Sequence, residues 1–391
     1  MQLALSAEDA EFRDQMREFF TTRIPQEIRD AVAERRELTR EQFVSSMQIL
    51  NAAGLAVPNW PVEWGGRDWT PLRRHIWHEE MQRAFVPPPL GFNASMIGPV
   101  IAQFGSQELK ERFLAKTANL DIWWSQGFSE PDAGSDLASL KTRAVRDGDE
   151  YVVNGQKTWT TLGQYGDWIF TLVRTNPEAK LQAGISMLLI DMTSPGVEVR
   201  PIELIDGGHE VNEVWFTDVR VPAENLVGEE NRAWDYAKFL LGNERVGVAP
   251  VGATKRNLAQ AKEWAATVST GEGTTLLDDP LVSTRIVELE NELLALELTA
   301  LRVVAHSTDG KPHPASSVLK LRGTELQQAV TELVVDLAGP ASLASGAGDD
   351  SDLPWWARRA TPTYLNFRKA SIYGGSNEVQ RQIIARTILG L

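Results

Sequence analysis

Between Trp123 and Thr161 the chain carries residues whose types and spacing suit a flat, phosphate-bearing cofactor. A short strand-like run ends in a turn containing Glu130, Pro131, Asp132 and Gly134, and a second strand resumes at Tyr151 and ends at Trp159. Gly134 and Ser135 are small, with free backbone N–H groups, the composition used where a backbone approaches a phosphate closely. Trp159, followed by Thr160 and Thr161, offers an apolar ring beside hydroxyls, which suits an aromatic cofactor with polar edges. The same turn composition also fits an ordinary surface turn.

These elements sit in a chain of 391 residues, long enough for two or three domains, with 42% hydrophobic and 24% charged residues. That balance is ordinary for a globular protein. Fifty-three acidic against thirty-nine basic residues give a formal charge of -14, which opposes binding to nucleic acid or an anionic membrane. Without cysteine there is no disulfide, thiolate metal site or cysteine nucleophile. The five histidines (His75, His78, His209, His306 and His313) show no ligand spacing, so no metal is expected. The opening MQLALSAEDAEF resembles no export leader, and no apolar run reaches membrane-spanning length, so a cytoplasmic location is expected.

The periodicity predicts an α+β architecture in three parts. Residues 1–120 read as a helical domain: Ser6 and Asp9 make a cap, Phe12, Met16, Phe19 and Phe20 recur at helical spacing, and further helices fit Pro71 to Arg83 and the stretch after Gly105. Residues 121–226 read as a small β domain with strands at Tyr151–Val153, Trp168–Val173, Ile185–Ile190, Val197–Ile202 and Val214–Val221, and a hairpin turn at Asp147-Gly148-Asp149. Residues 227–391 read as a helical bundle. Val282, Ile286, Leu289, Leu293, Leu296, Ala300 and Val303 form its seam, Ser317 to Leu337 offers a partner helix, and Ala341 to Asp352 reads as an exposed loop.

Phe128 to Asp136 (FSEPDAGSD), Asn154 to Thr161 (NGQKTWTT) and Ile372 to Arg381 (IYGGSNEVQR) resemble the signatures of the acyl-CoA dehydrogenase family. The resemblance implies FAD as cofactor and an acyl-CoA thioester as substrate, with the α proton taken by a carboxylate and a hydride passing from the β carbon to FAD N5. It places Gln126, Phe128 and Ser129 at the flavin edge, Trp159, Thr160 and Thr161 around the ring, and Gly134 and Ser135 near pyrophosphate or pantetheine. Ser376 and Glu378 open the last helix, either toward a cofactor phosphate or adenine or simply as a cap. Many members carry the base as a glutamate directly after the signature tyrosine; here that position is Gly374, whose amide N–H remains available to the thioester oxygen. A minority place it before an arginine in the first long helix of the third domain, which points to Glu244 as base and Arg245 at the CoA end.

Two further departures concern assembly. The segment Gly273 to Leu277 lacks the Arg and Phe that homotetrameric members lend to a neighbour's flavin, and Asp336 to Pro340 lacks their Gln-x-x-Gly-Gly turn. Ile205 to Phe216 (IDGGHEVNEVWF), together with Trp123 to Pro131 (WWSQGFSEP), is similar to the large subunit of pimeloyl-CoA dehydrogenase-type bacterial enzymes. It implies a homo-oligomer or a heterotetramer with a paralogous subunit, and electron-transfer flavoprotein as acceptor. The alternatives are an acyl-CoA oxidase or flavin monooxygenase on the same fold, and a non-catalytic partner subunit.

Overall fold

A computed structural model describes residues 5–247, 251–271, 273–305, 314–344 and 352–391, with the side chains of 241–247 and 304–305 also left out of the description. The chain forms two compact units. One comprises residues 1–38, 69–87 and 245–391, the other 39–68 and 88–244. The helices are α1 (Ala7–Thr22), α2 (Gln26–Ala33), α3 (Arg40–Ala52), α4 (Pro71–Arg83), α5 (Gly98–Phe104), α6 (Gln107–Ala118), α7 (Ala233–Gly247), α8 (Val251–Ala265), α9 (Pro280–Ala305), α10 (Ser316–Ala338), α11 (Trp355–Arg358), α12 (Ala360–Phe367) and α13 (Asn377–Ile384). The strands of the main sheet are β1 (Trp124–Gly127), β2 (Arg143–Asp147), β3 (Glu150–Thr161), β4 (Trp168–Arg174), β5 (Ile185–Asp191), β6 (Val197–Ile202) and β7 (Val211–Pro222).

In the second unit the sheet runs β1-β4-β2-β3-β7-β6, with β5 also paired to β4. Strands β4 and β5 are buried almost throughout, as strands covered on both faces are, and Tyr151, Val153, Ile169, Leu188, Val214 and Phe216 belong to one core cluster. The turn between β2 and β3 is tight because Gly148 takes φ +60°. A wholly buried asparagine holds β1 in place. Asn93 Nδ2 donates to Ile122 O at 2.7 Å and Thr117 O at 3.0 Å, while its Oδ1 accepts from the Trp124 amide at 3.1 Å.

In the first unit the expected seam of α9 is buried at Ile286, Leu289, Leu293, Leu296 and Val303, and packs with Leu319, Leu326, Val330 and Leu337 of α10. Helix α1 begins as read, Ser6 Oγ accepting from the Asp9 amide at 3.1 Å. Of the expected loop at Ala341 to Asp352, residues 345–351 lie outside the described residues, and 339–344 form a short helical turn.

The first unit also holds a half-buried histidine. His78 on α4 is bonded to Gln82 Nε2 at 3.0 Å. Burial, aided by neighbouring His75 and opposed by Glu79, lowers its pKa to about 4. An unfolded histidine titrates near 6.5, so between about pH 6.5 and 4 only the unfolded chain takes up this proton. Stability should therefore fall with pH through that window, by at most roughly 3 kcal/mol from this group. Melting temperature against pH should be flatter there in His78→Asn than in the wild type.

Candidate active site

The turn expected as a cofactor seat is closed on itself and tied to β3. Glu130 and Ala133 exchange backbone hydrogen bonds at 3.1 and 3.0 Å, and the Thr158 amide donates to Ser129 O at 2.9 Å. Beneath the turn, Lys157 Nζ, fully buried, donates to Glu130 Oε1 at 2.8 Å and Phe128 O at 3.1 Å. Glu130 also accepts from the amides of Lys141 at 2.6 Å and Thr142 at 2.9 Å. Burial lowers the Lys157 pKa to about 8 against the pull of Glu130. Burial alone would raise the Glu130 pKa, but Lys157 and the amide and side-chain bonds hold it below the usual carboxylate value. Sequence reasoning assigned neither residue a role. No local signal marked the lysine, which lies between Gln156 and Thr158 in a strand whose burial does not alternate there.

Strand β3 does not end at Trp159 as the composition suggested; it continues to Thr161 through an irregularity. Pairing with β7 shifts register between Lys157 and Thr160, and Trp159 in that interval has φ +61°. A bulge of this kind re-aims a side chain, and a non-glycine residue in the left-handed region costs about 1–2 kcal/mol. Trp159 is nevertheless 59% exposed, so the strain presents a large apolar ring to solvent without being offset by burial.

The other expected residues divide by exposure. Gln126, Ser129 and Thr161 are half-buried, whereas Phe128 is buried. Gly134 and Ser135 are exposed, and a Cβ at Gly134 would meet no atom within 4 Å. Thr160 is 1% exposed, its hydroxyl without a hydrogen-bond partner. An open glycine backbone, an exposed indole and an orphaned buried hydroxyl match what a ring with polar edges and a phosphate requires.

In the first unit, the signature Ile372 to Arg381 forms a glycine turn leading into α13. Gly374 and Gly375 take φ +63° and +85°. The glycine at 374 thus occupies a left-handed position that a glutamate would hold only under strain. Ser376 caps α13, its Oγ accepting from the Val379 amide at 3.4 Å. Glu378 lies in the first turn of α13, where its own amide and Ser376 hold its pKa below the usual value. Beside the turn, Ile372 and Tyr373 expose large apolar side chains. Glu244 and Arg245 belong to the backbone of α7, and their side chains lie outside the described residues.

One grouping escaped the sequence reading of histidines. His75 and Glu79 of α4 and Glu297 of α9 bring ligand-type atoms within 4.8 Å of one another. Lys255 Nζ already bridges Glu79 Oε1 and Glu297 Oε1 at 2.8 Å each, so the cationic position is filled by the protein's own ammonium. His306 and His313 lie outside the described residues.

Comparison with known proteins places the chain among relatives. Residues 6–121, 125–219 and 231–389 match the N-terminal, middle and C-terminal domains of acyl-CoA dehydrogenase, respectively. The acyl-CoA dehydrogenase IpdE1 of Mycobacterium tuberculosis is 38% identical over 88% of this chain and 86% of its own length. FadE26 of the same organism is 33% identical over 100% and 99%. Among solved structures, a chain of the ChsE4-ChsE5 complex from Mycobacterium tuberculosis is 33% identical, with a TM-score of 0.86 over 100% of this chain and 99% of that one. A chain of the Tcur3481-Tcur3483 steroid ACAD gives 29% and 0.87 over the same shares.

The chain belongs to the acyl-CoA dehydrogenase family. It is an FAD-dependent oxidoreductase with that family's helical, β and helical domain order. Among the described residues no helix is long and apolar enough to cross a membrane.

Proposed function

We propose that this protein removes the α and β hydrogens of an acyl-CoA thioester, with Glu244 as the base and a bulky, polycyclic acyl group as substrate. The observation that carries the reading is the glycine turn at Gly374–Gly375, both residues at positive φ, whose first amide would serve as donor to a thioester oxygen. Within the other unit, the strained and exposed Trp159 offers a ring face. FAD, when bound, supplies the hydride acceptor. Trp159 and Thr161 would flank its ring, Gln126 and Ser129 its polar edge, and Gly134 and Ser135 a phosphate or pantetheine. Thr160 would turn its unpartnered hydroxyl to the ring, and Ser376 and Glu378 open α13 toward a cofactor phosphate or adenine or serve simply as its cap.

The chain's own contribution is then proton and charge handling. The α proton is too weakly acidic for an ordinary carboxylate unless charge developing on the thioester oxygen is stabilised, and a preplaced N–H donor typically contributes about 3–4 kcal/mol there. Gly374 supplies this donor, and its lack of a side chain leaves room for a wide acyl tail. Glu244 supplies the acceptor from a separate helix, with Arg245 beside the CoA. The steroid substrate class is supported by the 29% identical steroid ACAD chain. Heteromeric assembly with a paralogous chain is supported by the two-component complexes among the structural relatives and by the absent cross-subunit residues at 273–277 and 336–340. Electron-transfer flavoprotein is the corresponding acceptor.

The reading is tested by incubating the protein, alone and co-expressed with a paralogous chain, with straight-chain, branched and steroid-derived acyl-CoAs and an electron acceptor. Mass spectrometry should show the loss of two hydrogen atoms from the polycyclic substrates. Turnover confined to short straight chains would overturn the substrate assignment, and turnover only with molecular oxygen would favour the oxidase reading. Trp159→Ala is expected to weaken FAD retention about ten-fold, near 1.4 kcal/mol of lost ring contact. Equilibrium dialysis of FAD checks this, and the melting temperature of the apoprotein should stay near that of wild type because the ring is mostly exposed.

A further inference from the structure

Helix α10 carries a polar row where a bundle helix would ordinarily bury apolar side chains. Lys320, Thr324, Gln328 and Thr331 follow one another by four, four and three residues, so they share one helix face. Lys320, fully buried, donates from Nζ to Ala370 O at 3.1 Å and to Asn377 Oδ1 at 3.3 Å. Thr324 Oγ1 donates to the same Asn377 Oδ1 at 3.2 Å. Gln328 Nε2 reaches Phe367 O, Arg368 O and Ser371 Oγ at 3.1–3.2 Å. Arg368 Nη2 returns to Gln328 O at 3.0 Å and Thr331 Oγ1 at 3.1 Å. The segment gripped by this row, residues 367–377, contains Gly374. Its far side is held by Gln380, whose Nε2 donates to Gly375 O at 3.1 Å.

Lys320 thus grips the chain four residues before Gly374 and three residues after it. A buried ammonium is costly, and an apolar side chain of similar length would pack the bundle without that cost. Two glycines with positive φ leave the turn between the grips little intrinsic rigidity. Something outside the turn must fix the direction of its amide.

We propose that Lys320 is a positioning residue for the reaction, clamping both ends of the glycine turn so that the Gly374 N–H points at the substrate thioester oxygen. The inference rests on the oxyanion role of Gly374 proposed above. It deepens that role by naming what aims the donor.

The test is the infrared carbonyl stretch of a bound acyl-CoA analogue, isotope-labelled at the thioester carbon and lacking a removable β hydrogen, in FAD-loaded wild type, Lys320→Met and Lys320→Arg. Wild type should shift the stretch to lower frequency than in free analogue, Lys320→Met should lose most of that shift, and Lys320→Arg should recover it. In parallel, kcat should fall roughly 10- to 100-fold in Lys320→Met with KM little changed. Amide exchange should accelerate in the peptide spanning 372–380. If Lys320→Met does not fold, Asn377→Ala, which removes one grip, is read in its place with the same expected directions. No shift in wild type would overturn the oxyanion role of Gly374 itself. A wild-type shift retained in full by Lys320→Met or Asn377→Ala, with unchanged exchange, would overturn the role of Lys320 alone.

Discussion

Glu244→Gln is expected to lower kcat by about 10²–10⁴-fold while FAD stays bound, because an amide of the same shape retains packing but cannot accept the α proton. The effect should fall on kcat and kcat/KM together, the signature of an interaction made in the transition state. A base also imposes a pH dependence, so the acid limb of the wild-type kcat profile should vanish in the variant's residual activity. Moving the carboxylate back, as Gly374→Glu in the Glu244→Gln background, should rescue poorly. Gly374 has φ +63°, a backbone conformation that disfavours a side chain and would carry the carboxylate and the donor turn out of place together.

Lys157→Met is expected to destabilise the fold by about 3–5 kcal/mol, because it leaves the Glu130 carboxylate buried without its cation. The amides of Lys141 and Thr142 still bond that carboxylate, which sets the expected loss toward the lower figure. Chemical denaturation of the apoprotein measures this, and Glu130→Gln combined with Lys157→Met should recover part of it. The acid side follows from the same pair. Since the folded pKa of Glu130 is held below its ordinary value, its contribution is present above about pH 4.3 and is lost as pH falls through the folded value. Because the pair anchors the turn carrying Ser129, Gly134 and Ser135, Lys157→Met should also release FAD.

Much of the fold was legible because periodicity reports burial directly. The seam predicted on α9 is the buried face of that helix, and the expected edges of Pro71–Arg83 and Val197–Ile202 match α4 and β6. Strand β3 defeated the reading near its end, since a bulge breaks the two-residue alternation and an exposed tryptophan resembles a strand terminus. The motifs that place the chain in its family were legible because they are local, as in the glycine turn and the Trp-Thr-Thr run. Contacts between residues distant in sequence were not legible. Lys157 of β3 meets Glu130 in a turn twenty-seven positions away, Lys320 meets residues fifty and fifty-seven positions away, and His75 and Glu79 meet Glu297 only after α4 and α9 pack. Composition gives such residues the appearance of solvated charges, and only tertiary structure shows Lys157, Glu130 and Lys320 buried and the others partly covered.

Anaerobic single-turnover mixing of the FAD-loaded protein with a steroid-derived acyl-CoA, in wild type and Glu244→Gln, tests the central claim most directly. Rapid bleaching of the flavin in wild type, slowed by at least about 10²-fold in Glu244→Gln at equal FAD content, is the predicted result. Bleaching at the wild-type rate in Glu244→Gln would contradict it, as would FAD-loaded wild-type protein that no acyl-CoA bleaches.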